Sequence, residues 1–155
     1  MVHVERSIHV AAPRETVFAF MDDAHHQAEI SPSLSEVHDV TRADSGGVKA
    51  GFTYKMAGMP IKGEVEATRY APPERIEFDM RGPLDGRIWF VFEDAEGGTM
   101  VTYGSDYSIP NALLERLATP FLERYNAREL ETTLQNLKER VEFAGAGGEA
   151  GTAAP

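Results

Sequence analysis

The chain is 155 residues long, and its 25 acidic residues outnumber its 15 basic residues, so its formal net charge at pH 7 is −10. This length suits one domain. An acidic surface repels phosphate groups, which disfavours nucleic acid and anionic membranes as partners. The chain contains no cysteine, which excludes disulfides, thiolate nucleophiles and cysteine-based zinc sites.

Composition also predicts where the protein resides. Hydrophobic residues make up 42% of the chain, enough for a packed core. The N-terminus carries charge within an alternating pattern, unlike a secretory signal peptide, and no apolar run approaches the ~20 residues that span a bilayer. We therefore expect a cytoplasmic protein without an integral membrane segment. Abundant acid with scarce lysine is typical of halophilic proteins but also occurs in ordinary acidic proteins, and both interpretations stay open.

The first thirty residues predict one strand and two short helices. Apolar and polar residues alternate over residues 2–10, which is the pattern of a half-buried strand. Pro13 follows, and proline is favoured in the first turn of a helix. A second short helix is predicted over residues 24–30, and the Ser-Pro-Ser segment at residues 31–33 ends it.

Residues 37–107 predict an antiparallel meander of six strands. Apolar residues recur with period two between short polar turns rich in glycine and proline. Short turns join neighbouring antiparallel strands. The predicted turns lie at residues 44–47, 58–60, 71–74, 82–86 and 95–98.

The pattern changes after residue 109. A stripe with spacings of three or four residues predicts one amphipathic helix over about residues 110–143, with a kink at Pro120. Residues 144–155 are rich in glycine and alanine and lack this periodicity, so we expect a disordered tail after a domain of residues 1–143. The stripe consists of Leu113, Leu117, Phe121, Leu130, Leu134, Leu137 and Val141.

These elements predict an α+β fold in which a seven-stranded antiparallel sheet wraps around a long C-terminal helix. Their order resembles the helix-grip fold of the START/Bet v 1-like (SRPBCC) superfamily, and within it the polyketide cyclase/dehydrase and lipid-transport group. The resemblance covers roughly residues 2–143. It is carried by SIHVAAPRETVF at residues 7–18, Asp22, SPSL at residues 31–34, Glu66, YAPPERI at residues 70–76, and Asp106 with Tyr107.

The resemblance implies an elongated cavity between sheet and helix that holds a lipid, polyketide, isoprenoid or similar apolar ligand. Some relatives are cyclases or dehydratases, and others are carriers. This sequence departs from the family pattern at one place, since members often carry tryptophan just before the Ser-Pro-Ser-like segment and Glu29 and Ile30 stand here. The sole tryptophan, Trp89, lies in a predicted strand.

The strand pattern nominates the residues that would line such a cavity. One face of each strand must point inward, and its Met, Phe and Tyr side chains form either ordinary core or an adaptable wall for an apolar ligand. A tyrosine there also brings a hydroxyl that needs a partner. The predicted ligand-binding residues are Phe52, Tyr54, Met56, Phe78, Met80, Trp89, Phe90, Tyr103, Tyr107, Leu117 and Phe121.

Catalytic candidates are weaker. Asp22 with His26 is an i,i+4 pair if the segment is helical, and a carboxylate that orients an imidazole can act as a general base. A polar connector with a capping aspartate explains the same residues. Tyr54 and Tyr103 are further candidates for proton transfer. No motif for a metal, nucleotide or dinucleotide is present, so we predict neither metal nor cofactor.

Charged residues near the turn at residues 82–86 have two interpretations. Asp79, Arg81 and Arg87 form cross-strand ion pairs in the simpler one. In the other, Arg81 or Arg69 anchors a polar group of a ligand at one end of the cavity.

Three hypotheses for function remain at the level of sequence. The first is a carrier or sensor of a small apolar ligand, the second a polyketide cyclase or dehydratase, and the third an interaction role in which side chains fill the cavity. A drug-sized ligand requires a cavity of about 300 Å³ or more, whereas a purely apolar lining would argue against the enzyme. The first strand or the long helix could also support a homodimer.

Overall fold

The computed structural model describes residues 1–109, 111 and 119–153. Its seven strands and its short helices after the first strand follow the order predicted from sequence, and the second helix has the predicted limits. The elements are β1 (Val2–Val10), α1 (Arg14–Met21), α2 (Ala24–Ile30), β2 (Leu34–Arg42), β3 (Val48–Met56), β4 (Met59–Ala71), β5 (Arg75–Arg81), β6 (Asp85–Ala95), β7 (Gly98–Ser108) and α3 (Thr119–Ala153).

The strands form one antiparallel sheet in the order β1-β7-β6-β5-β4-β3-β2. Strands β2 to β7 follow their sequence order, as expected of a meander. Strand β1 forms the edge of the sheet opposite β2 and pairs with β7, from Val2 opposite Tyr107 to Val10 opposite Thr99. The predicted helix-grip architecture is confirmed.

Helix α3 packs its apolar stripe against this sheet. Burying each large aliphatic side chain of the stripe stabilises the fold by about 1.5–3 kcal/mol. The predicted stripe is wrong at Phe121, which is 43% exposed, because Leu122 takes the inward place. The predicted stripe has a gap between residues 121 and 130. Leu122 and Asn126 fill it, since they and Leu130 follow one another at intervals of four residues. The buried residues are Leu122, Asn126, Glu129, Leu130, Thr133, Leu134, Leu137 and Val141.

The two ends of the predicted long helix have different outcomes. Leu113 and Leu117 lie outside the described residues, as does the segment before Thr119 on which the predicted kink depends. Pro120 lies in α3, directly after Thr119, the first residue of that helix that the structure describes. The helix extends beyond residue 143 to Ala153, and Phe143 is 79% exposed. The domain limit at residue 143 and the disorder of the tail stay predictions.

The outer face of the sheet carries cross-strand ion pairs of Arg81 and Arg87, as predicted, whereas Asp79 forms none among the described residues. Glu77 contacts Arg69, Arg75 and Arg87 from neighbouring positions, and Arg81 pairs with Glu66. These arginines therefore pair with carboxylates on the solvent side of the sheet. Within residues 1–109, 111 and 119–153, no helix has the length and apolar character needed to cross a membrane. A cytoplasmic location and a homodimer stay predictions.

Candidate ligand-binding cavity

A cavity of about 100 Å³ lies between the concave face of the sheet, helix α2 and helix α3. Side chains that alternate along the strands point into it because successive residues of a strand face opposite sides. Its wall is mostly apolar and aromatic, and rings of Phe90 and Tyr103 stack with centroids 4.4 Å apart. The predicted residues that line it are Phe52, Tyr54, Met56, Phe78, Met80, Phe90, Tyr103 and Tyr107.

The lining also includes residues that the sequence analysis missed. Ser105 continues the alternation of Tyr103 and Tyr107 along β7, so period two was a usable signal for it. Asn126 interrupts an otherwise apolar helix stripe, and such a buried polar residue needs a partner. Asn126 Nδ2 donates to Ser105 Oγ at 3.2 Å, which joins helix and sheet at the cavity. Other small or apolar lining residues are Ala24, Leu34, Val37, Val48, Ala50, Val65, Leu84, Ile88 and Leu130.

Three tyrosines give the cavity a polar end. Tyr54, Tyr103 and Tyr107 line it, and no hydrogen bond holds their hydroxyl groups within the part of the chain that the structure describes. Tyr107 is only 4% exposed, and its hydroxyl is buried without a partner among those residues. A buried, unpartnered hydroxyl costs about 1–3 kcal/mol. This end of the cavity therefore offers hydrogen bonds that the described part of the fold does not use.

The three hydroxyls stay protonated at neutral pH. Burial raises the pKa of Tyr54, Tyr103 and Tyr107, because a phenolate loses its hydration in the cavity. The nearby negative charge of Glu129 raises these pKa values further. The tyrosines are thus hydrogen-bond donors and acceptors at pH 7, and not bases.

Polar contacts fasten α3 to the Ser-Pro-Ser segment beside the cavity. Glu129 Oε1 accepts a hydrogen bond from the Ser33 N–H at 2.8 Å. Ser33 Oγ donates to the Tyr125 hydroxyl at 2.8 Å, and that hydroxyl donates to the Lys55 carbonyl oxygen at 3.1 Å. The segment is therefore held by the helix, and Tyr125 already has partners of a kind that the three cavity tyrosines lack among the described residues.

Trp89 was predicted to contact ligand, and the structure places it elsewhere. It lies on the outer face of β6, opposite Gly104 in β7. Its Nε1 donates to Glu5 Oε2 at 2.8 Å, and the Arg87 guanidinium lies 5.8 Å from its ring centroid. Strand β6 is apolar on both faces, and its inward residues are Ile88, Phe90 and Phe92.

Two further predicted ligand contacts, Phe121 and Leu117, have different outcomes. Phe121 is exposed on α3, where its ring stacks on Tyr125 at 6.5 Å. This placement follows from the inward position of Leu122. Leu117 lies outside the described residues.

The predicted Asp22–His26 pair does not form. Asp22 is the C-cap of α1, and Asp23 caps α2 by accepting from the His25 N–H at 2.9 Å, so the pair spans two helices. Asp22 instead accepts from Tyr70 Oη at 2.7 Å and Arg42 at 2.8 Å. These contacts fit the other interpretation of the segment, a polar connector with a capping aspartate.

His26 does not pair with Asp22, and its Nε2 lies 3.9 Å from Asp23 Oδ2 instead. Its ring stacks on Phe20 at 4.2 Å, and its Nδ1 donates to the Phe20 carbonyl oxygen at 3.0 Å. Neither Asp22 nor His26 lines the cavity described above. Among the described residues, no group of three or more acidic or histidine side chains could hold a metal ion.

A family model described as polyketide cyclase / dehydrase and lipid transport matches residues 1–142. The chain belongs to this family. The match covers both the sheet and the part of α3 that lines the cavity, so the resemblance drawn from sequence is confirmed. No curated protein matches the sequence.

Solved structures of this family's fold superpose on almost the whole chain. TTHA0849 from Thermus thermophilus is 19% identical, with a TM-score of 0.77 and coverage of 92% of this chain and 97% of that one. A START superfamily protein from Mycobacterium smegmatis is 15% identical, with a TM-score of 0.71 and coverage of 92% and 98%. The Zhui aromatase/cyclase from Streptomyces sp. R1128 is 17% identical, with a TM-score of 0.72 and coverage of 92% and 97%. At these identities the likeness establishes a shared fold.

Proposed function

We propose that this protein binds a small, mainly apolar molecule in the cavity between the sheet and α3, as a carrier or sensor. The single observation that carries the proposal is the cavity itself, walled by Phe52, Phe78, Met80 and Phe90. Removing apolar ligand surface from water supplies roughly 25 cal/mol per Å². The chain also belongs to a family whose description includes lipid transport, which supports binding of an apolar molecule.

The size of the cavity narrows the ligand. Its volume of about 100 Å³ is below the ~300 Å³ expected for a drug-sized ligand. A cavity of about 150 Å³ is large enough for benzene. A compact molecule therefore fits better than a lipid chain, an isoprenoid or a folded polyketide.

A cyclase or dehydratase is the second candidate, and the cavity tyrosines favour it. The lining is not purely apolar, since Tyr54 and Tyr103 could give a proton to a ligand oxygen. Several neighbours of similar fold are aromatase/cyclases. Two observations argue against an enzyme. The tyrosines are neutral at pH 7, and Asp22 and His26 do not form the predicted general-base arrangement. Binding without covalent chemistry is thus the stronger proposal.

A cavity-filling substitution tests binding. Ala50 is buried and lines the cavity, so Ala50→Leu should fill it, whereas Ala144→Leu adds the same atoms to an exposed position of α3. We expect small cyclic molecules to bind the wild type and Ala144→Leu, and Ala50→Leu to lose binding, by calorimetry and by native mass spectrometry of molecules that co-purify. Absence of binding to the wild type, or equal binding by all three proteins, would contradict the proposal.

A further inference from the structure

The polar end of the cavity says more about the ligand than its apolar wall does. Tyr54, Tyr103 and Tyr107 come from β3 and β7, and their hydroxyls remain without partners among the residues that the structure describes. Each phenolic proton needs an acceptor, and for the buried hydroxyl of Tyr107 the absence of one is costly. The same part of the fold satisfies the hydroxyl of Tyr125 next to them. A ligand acceptor atom would complete the arrangement.

The charge around the hydroxyls selects the kind of acceptor. Glu129 is buried on α3, and its negative charge acts on all three tyrosines. Among the described residues, no lysine or arginine lines the cavity to balance an anion. A carboxylate or phosphate would therefore meet repulsion and an uncompensated loss of hydration. A carbonyl oxygen is neutral and has two lone pairs, so it can accept from two hydroxyls at once.

We infer that the ligand is a compact neutral ketone or aldehyde whose carbonyl oxygen accepts hydrogen bonds from the tyrosine hydroxyls and whose hydrocarbon part fills the aromatic wall. The inference rests on the proposed function, because it names the ligand class of the same cavity. The cavity has about two-thirds of the volume of an engineered cavity of about 150 Å³ that binds benzene, which has six non-hydrogen atoms, so it holds roughly four or five non-hydrogen atoms. This corresponds to a single small ring.

Matched probes separate the carbonyl from the hydrocarbon. Cyclobutanone and methylenecyclobutane have the same number of non-hydrogen atoms and differ only in the oxygen that replaces a methylene group. Calorimetry should show cyclobutanone binding more tightly than methylenecyclobutane to the wild type. Cyclobutanecarboxylate, which is an anion, should bind far more weakly than either probe.

Tyrosine substitutions then test the hydrogen bonds. In Tyr103→Phe and Tyr107→Phe, cyclobutanone affinity should fall about 3- to 10-fold, while methylenecyclobutane affinity stays the same or rises. Tyr70→Phe is the matched control, because the Tyr70 hydroxyl bonds Asp22 outside the cavity. Thermal unfolding checks that each variant folds, and Tyr54→Phe replaces any that does not.

The outcomes distinguish the inference from the proposed function. If both probes bind, Ala50→Leu abolishes binding and the tyrosine variants lose nothing specific to cyclobutanone, then the cavity binds ligand and the carbonyl inference is overturned. Tighter binding of the two-ring ketone 1-tetralone, or of the carboxylate, would likewise overturn it. If neither probe binds the wild type, the proposed function fails.

Discussion

Glu129 in α3 accepts a hydrogen bond from the backbone N–H of Ser33 at 2.8 Å, although the residues are 96 positions apart. Glu129 is only 8% exposed, so this contact is shielded from water. It fastens the Ser-Pro-Ser segment to the helix and places a carboxylate beside the cavity tyrosines. One side chain therefore contributes both to the polar end of the cavity and to the attachment of the helix.

Replacing that side chain should destabilise the fold. Glu129→Ala leaves the buried N–H of Ser33 without a partner, which should lower the free energy of unfolding by about 1–3 kcal/mol in urea denaturation. Glu129→Gln keeps an acceptor oxygen and should recover most of the loss. The control is Glu131→Ala on the same helix, because Glu131 is exposed and pairs with Arg6 at the surface. Equal losses at both positions would argue against the role of the Ser33 contact.

The close approach of Trp89 to Gly104 should make that glycine intolerant of a side chain. A Cβ at Gly104 would lie 2.2 Å from the indole ring, which Glu5 and Arg87 hold in place. Gly104→Ala should therefore cost about 1–3 kcal/mol of unfolding free energy. Gly145→Ala meets no atom within 4 Å in α3 and should be neutral or stabilising. A tolerated Gly104→Ala would show that Trp89 moves freely.

Alkaline pH should destabilise the protein through the cavity tyrosines. Burial raises the pKa of Tyr54, Tyr103 and Tyr107 above the ordinary 10.0, so the folded protein holds their protons more tightly than the unfolded chain. Their contribution is complete below pH 10 and is lost as pH rises above it. Ultraviolet titration should show these phenolates appearing together with loss of the circular dichroism signal. Their ionisation in the folded state near pH 10 would contradict their burial.

Acidic pH should remove a different contribution to stability, that of the Glu77 carboxylate. Partial burial raises the pKa of Glu77, but the hydrogen bond and charge of Arg75, with the charge of Arg69, lower it overall from 4.5. The carboxylate therefore stabilises the fold above pH 4.5, and this contribution disappears as pH falls through the lowered pKa. Glu77→Gln should cost about 1 kcal/mol or less at pH 7 and nothing at strongly acidic pH.

The control for the acid prediction is Glu123→Gln, at an exposed position of α3. Chemical denaturation at several pH values measures both variants. A deficit for Glu77→Gln that stays constant with pH would show that the ion pairs of Glu77 do not cause it.

The sequence predicted the architecture because each element carries a clear periodicity. Strand β3 shows how far this extends, since its alternation placed Phe52, Tyr54 and Met56 on the cavity side. Strand β6 is apolar on both faces, so alternation alone could not assign Trp89 to the outside. In α3, Phe121 and Leu122 are adjacent and both apolar, and only packing against the sheet decides which one turns inward.

The polar part of the site was harder to predict because it is assembled from distant segments. Asn126 and Ser105 meet only when α3 crosses the sheet, and nothing in their local sequences pairs them. The i,i+4 spacing of Asp22 and His26 was misleading because a helix boundary falls between them. Spacing arguments hold only within one continuous helix.

The central claim is that an apolar ligand occupies the space between the sheet and α3, and nuclear magnetic resonance tests it most directly. Met56 and Met80 line that space, whereas Met1 is 84% exposed and Met100 lies on the outer face of β7. With methyl-labelled methionine and added methylenecyclobutane, we expect intermolecular Overhauser effects to the methyl groups of Met56 and Met80. Effects confined to Met1 or Met100, or none at saturating probe, would contradict the account.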